Sequence, residues 1–392
     1  MSRLSIAIAV TEAARLRQWA LQCLTGEVCP PPDACPAGHR IFFEAERCAI
    51  ALQRRFDEEG LELSFSRHVR QQFADRRAAE TGRIQSARRQ LRTIGEIARK
   101  EGCRVAVLKG AVPVFSDVRA VDLVDIDLLV TPTDANAFAA ALDRSGYWPV
   151  GESTPRHLDR RSKGEPVAVE IHTTLDRLGG PLSQGYWSRV IPHDSIDHLC
   201  RLGGADHLWH ILEHATRDHP ERRGNIRDLL LIGSAASDCS ADQLEDVRRR
   251  IAAHPLRNEL QKTLSMAQAV DAEDLSSDPL AYASAVRYAV RALLLPVPIP
   301  RVLEGYVYRW TFALLFGPAE RRDVWKEFFD ISIDPSSQRH VAWLEQRAPS
   351  LGRRYRVAAR IARATLALAG AVPTALLAGR LARRAVAKAS RP

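Results

Sequence analysis

At 392 residues with 46% hydrophobic side chains, the chain is long enough for two or three domains with real cores, which excludes a disordered protein. Its net charge of +9 belongs to the end: ten Lys or Arg and no Asp or Glu occur from Leu351 onward, so residues 1–350 sum to about −1, the difference between +9 and +10. A body so near neutrality excludes a broad nucleic-acid surface, whose affinity would come from many phosphate contacts.

In chain order, Thr11, Glu12 and several Arg interrupt the first apolar stretch before a signal-peptide core can form, so the sequence reads as cytoplasmic. The seven cysteines then read as reduced thiols. Residues 1 to about 36 are helical up to the proline-rich break "CPPPDACP". Two helices follow from apolar residues at three-to-four spacing: "HRIFFEAERCAIALQRRFDEEG", and then "SFSRHVRQQFADRRAAETGRIQSARRQLRTIGEIARKEG", broken once. From Cys103 the period shortens. "CRVAVLKG" reads as a strand, "AVPVFSD" as a turn or short helix, and "DLVDIDLLV" as a second strand. A helix begins with Thr131 as N-cap, Pro132 in the first turn and Asp134 near its positive end, and Gly146 closes it. In "EPVAVEIHTTL", Val167, Val169 and Ile171 alternate with Ala168, Glu170 and His172, as in a strand with one buried face.

Beyond about residue 195 the helical period returns, with a break at "PVPIP". The expected class is α+β: a small mixed-sheet lobe over residues 101–195, a helical N-terminal region over 1–100, a larger helical C-terminal lobe over 196–350 and a basic Ala/Arg-rich tail over 351–392. The tail's uncharged stretch from Ala364 to Gly379 is short for a span, which needs roughly 20 residues. It reads either as an interfacial helix pair on an anionic membrane or as a solvated basic helix packing its Ala/Leu face on the body.

The chemistry concentrates in "VDLVDIDLLV". Residues two apart on a strand point the same way, so Asp125 and Asp127 share a face about 7 Å apart. Two carboxylates there repel and are costly to bury, and a divalent cation solves both problems. Oxygen ligands suit Mg²⁺ shared with substrate phosphates. Upstream, Lys109 offers positive charge and Gly110 permits close approach of backbone amides to a phosphate. Glu170 is placed to complete a three-carboxylate cluster. Asp122 reads as a loop carboxylate or a strand-start residue.

The order "VAVLKGA", then "DIDLLV", then a helix ending "GYWPV", then "VAVEIH" resembles the DNA polymerase beta-like nucleotidyltransferase superfamily, most nearly a poorly characterised bacterial nucleotidyltransferase family with an LKG…DIDLLV…EIH motif order. The resemblance covers residues 80 to 230 at most. It implies that Asp125, Asp127 and Glu170 hold two Mg²⁺ ions, Asp125 and Asp127 bridging both and Glu170 serving the nucleophile side. Lys109, Gly110 and Arg119 would bind phosphate. The implied reaction moves a nucleoside monophosphate from a nucleoside triphosphate to an acceptor, whether protein, sugar, lipid or small molecule, and releases pyrophosphate. Ala111 and Val124 depart from the superfamily pattern of Gly or Ser at those places, which leaves a second class open: a non-catalytic nucleotide-binding or scaffold protein on the same fold.

Two other constellations compete weakly. "HILEH", His210 to His214, matches the H-x-x-E-H of a zinc protease but has no third ligand in view. Cys23, Cys29, Cys35 and His39 lack the tight pairs usual at structural zinc.

Overall fold

The computed structural model describes residues 3–26, 29–60, 66–117, 119–150, 158–175, 185–219, 222–274, 277–294, 301–316 and 348–389. The "PVPIP" break lies outside these residues. No helix among them is long and apolar enough to cross a membrane. The chain packs as two units, Met1–Ala79 with Ile211–Phe328 and Arg360–Pro392 in one, and Glu80–His210 with Phe329–Ala359 in the other.

In the first unit, α1 (Arg3–Thr25) and α2 (Pro36–Glu46) pack together, followed by α3 (Ala49–Glu58). The sequence predicts one helix where α2 and α3 stand. Arg47, at φ 51°, ends α2 in the left-handed region, with its amide donated to Phe43 O at 3.2 Å. Apolar spacing continues across this turn, so periodicity does not reveal it. The break leaves Glu46 fully buried at the end of α2, where Arg17 Nη1 (3.1 Å), Arg287 Nη2 (2.5 Å), the Tyr288 hydroxyl and the Ile226 amide (2.7 Å) all donate to it. One carboxylate thereby ties α1 and α2 to α8 (Ile226–Ser237) and α11 (Ala281–Leu294).

Conversely, the predicted interruption of the next helix is absent. α4 (Arg67–Glu101) runs unbroken for 35 residues. Its buried positions Val69, Phe73, Glu80, Ile84, Ala87, Leu91, Ile94 and Ala98 keep helical phase throughout, so nothing in the packing asks for a bend. Its later half belongs to the second unit, where Gln90 Nε2 donates to Val167 O at 2.8 Å and Arg83 clamps Asp122 through two bonds of 2.6 and 3.0 Å. Asp122 does lie in the loop ahead of β2, but buried and ion-paired with Arg83.

The second unit is built on a sheet of β1 (Val105–Val107), β2 (Asp125–Val130), β3 (Trp148–Pro149), β4 (Arg161–Ser162), β5 (Ala168–His172), β6 (Ile191–Pro192) and β7 (Cys200–Arg201), in the order β3-β4-β5-β2-β1-β7-β6. β2 runs parallel to β5, and β1 parallel to β7; the other pairs are antiparallel. A 3-10 helix (Lys109–Phe115) links β1 towards β2, and α5 (Ala135–Arg144) follows β2. α5 starts later than the sequence suggests. Thr131 opens a preceding turn by accepting the Asp134 and Ala135 amides, and Asp134 holds the N-cap place; Gly146, at φ 88°, ends the helix as expected.

One face of the sheet carries Ile126, Leu128, Val130, Val169 and Ile171, all fully buried. The other carries Asp125, Asp127, Glu170 and His172. Further along that second face, Ala106, Leu108 and Leu129 pack with Tyr186 of α6 (Tyr186–Arg189) and with Val190 and Leu202, closing one end of it and leaving the acidic end distinct.

The remaining described helices are α7 (Gly204–Glu213), which leads into a π-turn at His214–Asp218, α9 (Ala241–Ala253), α10 (Arg257–Asp271), α12 (Arg301–Phe316) and α13 (Pro349–Ala389). The tail is one helix, α13, and not a pair. Its residues Ala367, Ala371, Ala375, Ala378, Ala382 and Ala385 form a buried stripe, and a side chain at Gly370 or Gly379 would meet Val307 or Leu315 of α12 at 3.3 and 3.2 Å. Small residues let the two helices approach closely. The tail's Ala face packs on α12, while Leu376 and Leu377 stay exposed.

Candidate active site

Parallel pairing puts Asp127 directly opposite Glu170 and Leu129 opposite His172, with side chains of each pair on the same face. β1 supplies the cation. Leu108 donates its amide to Asp127 O at 2.9 Å, and the backbone then turns through Lys109 at φ 52°, aiming its ammonium at Asp127. The left-handed residue is thus Lys109 itself, one place before the glycine from which backbone freedom was expected. A non-glycine there costs on the order of 1 kcal/mol, which the ion pair offsets.

Asp127 Oδ1 accepts from Lys109 Nζ at 2.8 Å and lies 2.8 Å from His172 Nε2. Arg160 spans the other two acids, with Nη2 2.9 Å from Asp125 Oδ2 and Nε 3.3 Å from Glu170 Oε1. Burial works against the charge of Asp127, but Lys109 and His172 hold its carboxyl well below the usual range. Glu170 goes the other way. Burial and the negative Asp127 and Asp125 push it up to about 7, with Arg160 and Lys109 opposing. Two neighbouring acids are therefore driven apart, one fixed as the anion and the other poised to take a proton when no further cation is near.

Among the described residues, Asp127, Glu170 and His172 bring one ligand atom each within 4.8 Å of one another, a set able to hold a metal ion. Two carboxylates with an imidazole fit a hard or borderline divalent cation. Asp125 stands at the start of β2 on the same face, about a third exposed, and is held by Arg160.

A family of uncharacterised nucleotidyltransferases matches residues 43–270, more than half of the chain and all of this site. The chain belongs to that family. No curated protein and no solved structure matches it. It is accordingly an enzyme family that transfers nucleotide groups, and the α+β architecture with a small mixed sheet agrees with the sequence reading.

Of the residues the sequence singles out in this nucleotidyltransferase, Asp125, Asp127, Glu170 and Lys109 meet on one face. Gly110 is buried inside the 3-10 helix beside Lys109, and the Ala111 amide is used within it, donated to Leu108 O at 3.2 Å. Arg119 lies in an exposed turn, its amide donated to Ser116 Oγ at 3.0 Å. Two site residues escaped sequence reasoning. His172 was visible, since the alternation that places Glu170 on the open face places His172 there too. Arg160 was not, because its position depends on β4, a strand of two residues.

The competing constellations have other partners. Glu213 accepts from Arg217 Nη1 at 2.9 Å and lies 3.7 Å from His254, an ion pair where the protease reading needs a base. Cys35 accepts the Gly38 amide to cap α2, and Cys23 is directed at Cys29 O. None of the seven cysteines is in a disulfide, so no disulfide staples this turn.

Proposed function

We propose that the enzyme transfers a nucleoside monophosphate from a nucleoside triphosphate to an acceptor hydroxyl with release of pyrophosphate, using Asp125, Asp127 and Glu170 to hold two Mg²⁺ ions. The observation that carries this reading is the pairing of Asp127 with Glu170 on adjacent parallel strands, in a chain whose family moves nucleotides. When bound, the ions would supply Lewis acidity at phosphate oxygens and lower the pKa of the acceptor hydroxyl. The protein's own contribution is placement. Asp125 and Asp127, two residues apart on one strand, would hold both ions, and Glu170, from the neighbouring strand, would serve the nucleophile side. His172 and Lys109 fix the Asp127 carboxylate, and Lys109 with the Gly110 amide and Arg119 neutralises phosphate charge.

The test is pyrophosphate release from each nucleoside triphosphate with Mg²⁺ across protein, sugar, lipid and small-molecule acceptors. Asp127→Asn and Glu170→Gln should abolish it. Release that survives Asp127→Asn refutes the reading. Metal-dependent nucleotide binding without release across all acceptors would make the chain a non-catalytic nucleotide-binding protein instead.

The reading includes a place of work: the cytoplasmic side of an anionic membrane, touched by the outward face of α13. Val372, Leu376 and Leu377 are exposed there at 44%, 62% and 38%, followed one turn on by exposed Arg380, Arg383 and Arg384. Apolar residues beside arginines suit the headgroup boundary. Leu376→Glu leaves the buried alanine stripe untouched and should release the protein from phosphatidylglycerol vesicles in a sedimentation assay. Unchanged sedimentation ends this part of the proposal.

A further inference from the structure

Arg160 holds two of the carboxylates proposed to take a metal. Its guanidinium reaches Asp125 Oδ2 at 2.9 Å and lies 3.3 Å from Glu170 Oε1, so it bridges the two acids that Lys109 leaves to it. Nε is buried yet makes no hydrogen bond among the described residues, which means the geometry with Glu170 is imperfect. The side chain is 35% exposed, whereas Lys109 is 12% exposed and anchored on the more buried Asp127. Its backbone is fixed: the Val150 amide donates to Arg160 O at 2.7 Å, and Arg161 pairs with Val169 across the strands.

A divalent cation drawn to Asp125 and Glu170 competes with the guanidinium for their negative charge and repels it. Arg160 is the looser of the two bound cations, and it has solvent to move into. A planar fork released beside a metal site is complementary to phosphate oxygens, which it can grip through two parallel N–H bonds. We propose that Arg160 is an exchangeable counter-ion: it balances Asp125 and Glu170 while the metal is absent and turns to the triphosphate of the substrate when the metal enters. This rests on the nucleotidyl-transfer reading and adds to it a phosphate-binding residue that competes with metal in one state and assists substrate in the other.

The two roles predict effects of opposite sign. By calorimetry with Mn²⁺ alone, Arg160→Gln should bind the ion about tenfold more tightly than wild type, because a competitor is gone. With Mn²⁺ saturating, inorganic tripolyphosphate, which carries no base, should bind Arg160→Gln about tenfold or more weakly. Arg160→Lys keeps the charge and loses the fork; Mn²⁺ affinity should stay within about twofold of wild type while tripolyphosphate binding is only partly restored. Parallel losses of both affinities, or no change in either, overturn the exchange while leaving the metal site standing. Failure of the wild-type protein to bind Mn²⁺ overturns the exchange together with the reading on which it rests.

Discussion

Replacing Glu170 by Gln should make the metal-free protein more stable at pH 8 and less able to gain from metal. The carboxyl sits at about 7 in the fold against 4.5 for an ordinary Glu. An acid raised by folding is tolerated best when protonated, so the fold keeps that stability below pH 4.5 and gives it up as pH climbs through 7. The gap corresponds to about 3 kcal/mol at full ionisation, taking ~1.4 kcal/mol per pKa unit. Gln removes the charge at equal size but also forfeits the attraction of Arg160, so the expected gain is about 1 to 3 kcal/mol at pH 8, shrinking to nothing by pH 5. Urea denaturation of both proteins in chelator, at pH 5 and pH 8, reads the difference directly. Repeating it with millimolar Mn²⁺ should reverse the order, since wild type gains by binding the ion to its native state and the variant forgoes much of that gain. A Gln variant that is less stable than wild type at pH 8 without metal, or a difference independent of pH, refutes the reasoning.

Glu46→Gln should destabilise the first unit by about 3 kcal/mol or more, because Arg287 is left buried without its carboxylate while Arg17 keeps only Asp278, 2.8 Å from its Nε, and thermal unfolding measures it. Glu46 itself is held below the usual carboxylate range, burial opposing and Arg287 and Arg17 prevailing, so its contribution is present above pH 4.5 and is lost as pH falls through the lowered value. Arg83→Ala removes the guanidinium paired with the fully buried Asp122 ahead of β2, with an expected cost of about 3 kcal/mol and weaker Mn²⁺ binding by calorimetry. Gly379→Leu drives a side chain into Leu315, 3.2 Å from where its Cβ would lie, and should lower the unfolding temperature by an amount corresponding to about 1 to 3 kcal/mol.

The strands that carry the acids were legible because alternation is a local signal: Val169 and Ile171 bury, Glu170 and His172 do not, and the burial pattern of β5 repeats the sequence pattern. What sequence could not show depends on contacts between distant segments. Arg160 belongs to the site only because β4 lies beside β5. The turn at Arg47 interrupts no apolar period, and Glu46 beside it takes partners as far as 180 and 241 residues away. The short strands β3, β4, β6 and β7 are too brief for any period to register. The tail's composition was plain, but which side of it faces protein was decided by α12, whose Val307 and Leu315 accept only small neighbours.

Because β2 and β5 are neighbours running in the same direction, no hairpin can bring their acids together; the chain must complete the excursion through α5, β3 and β4 before Glu170 arrives beside Asp127. Parallel contacts of that kind form late, after loop-closure entropy has been met. A nascent chain that stops short of Ala168 lacks Glu170 and His172, so on the proposed reading it lacks the metal site, and ion capture would be a chronometer of maturation for this lobe. Rapid-mixing refolding followed by Mn²⁺ paramagnetic relaxation would time it.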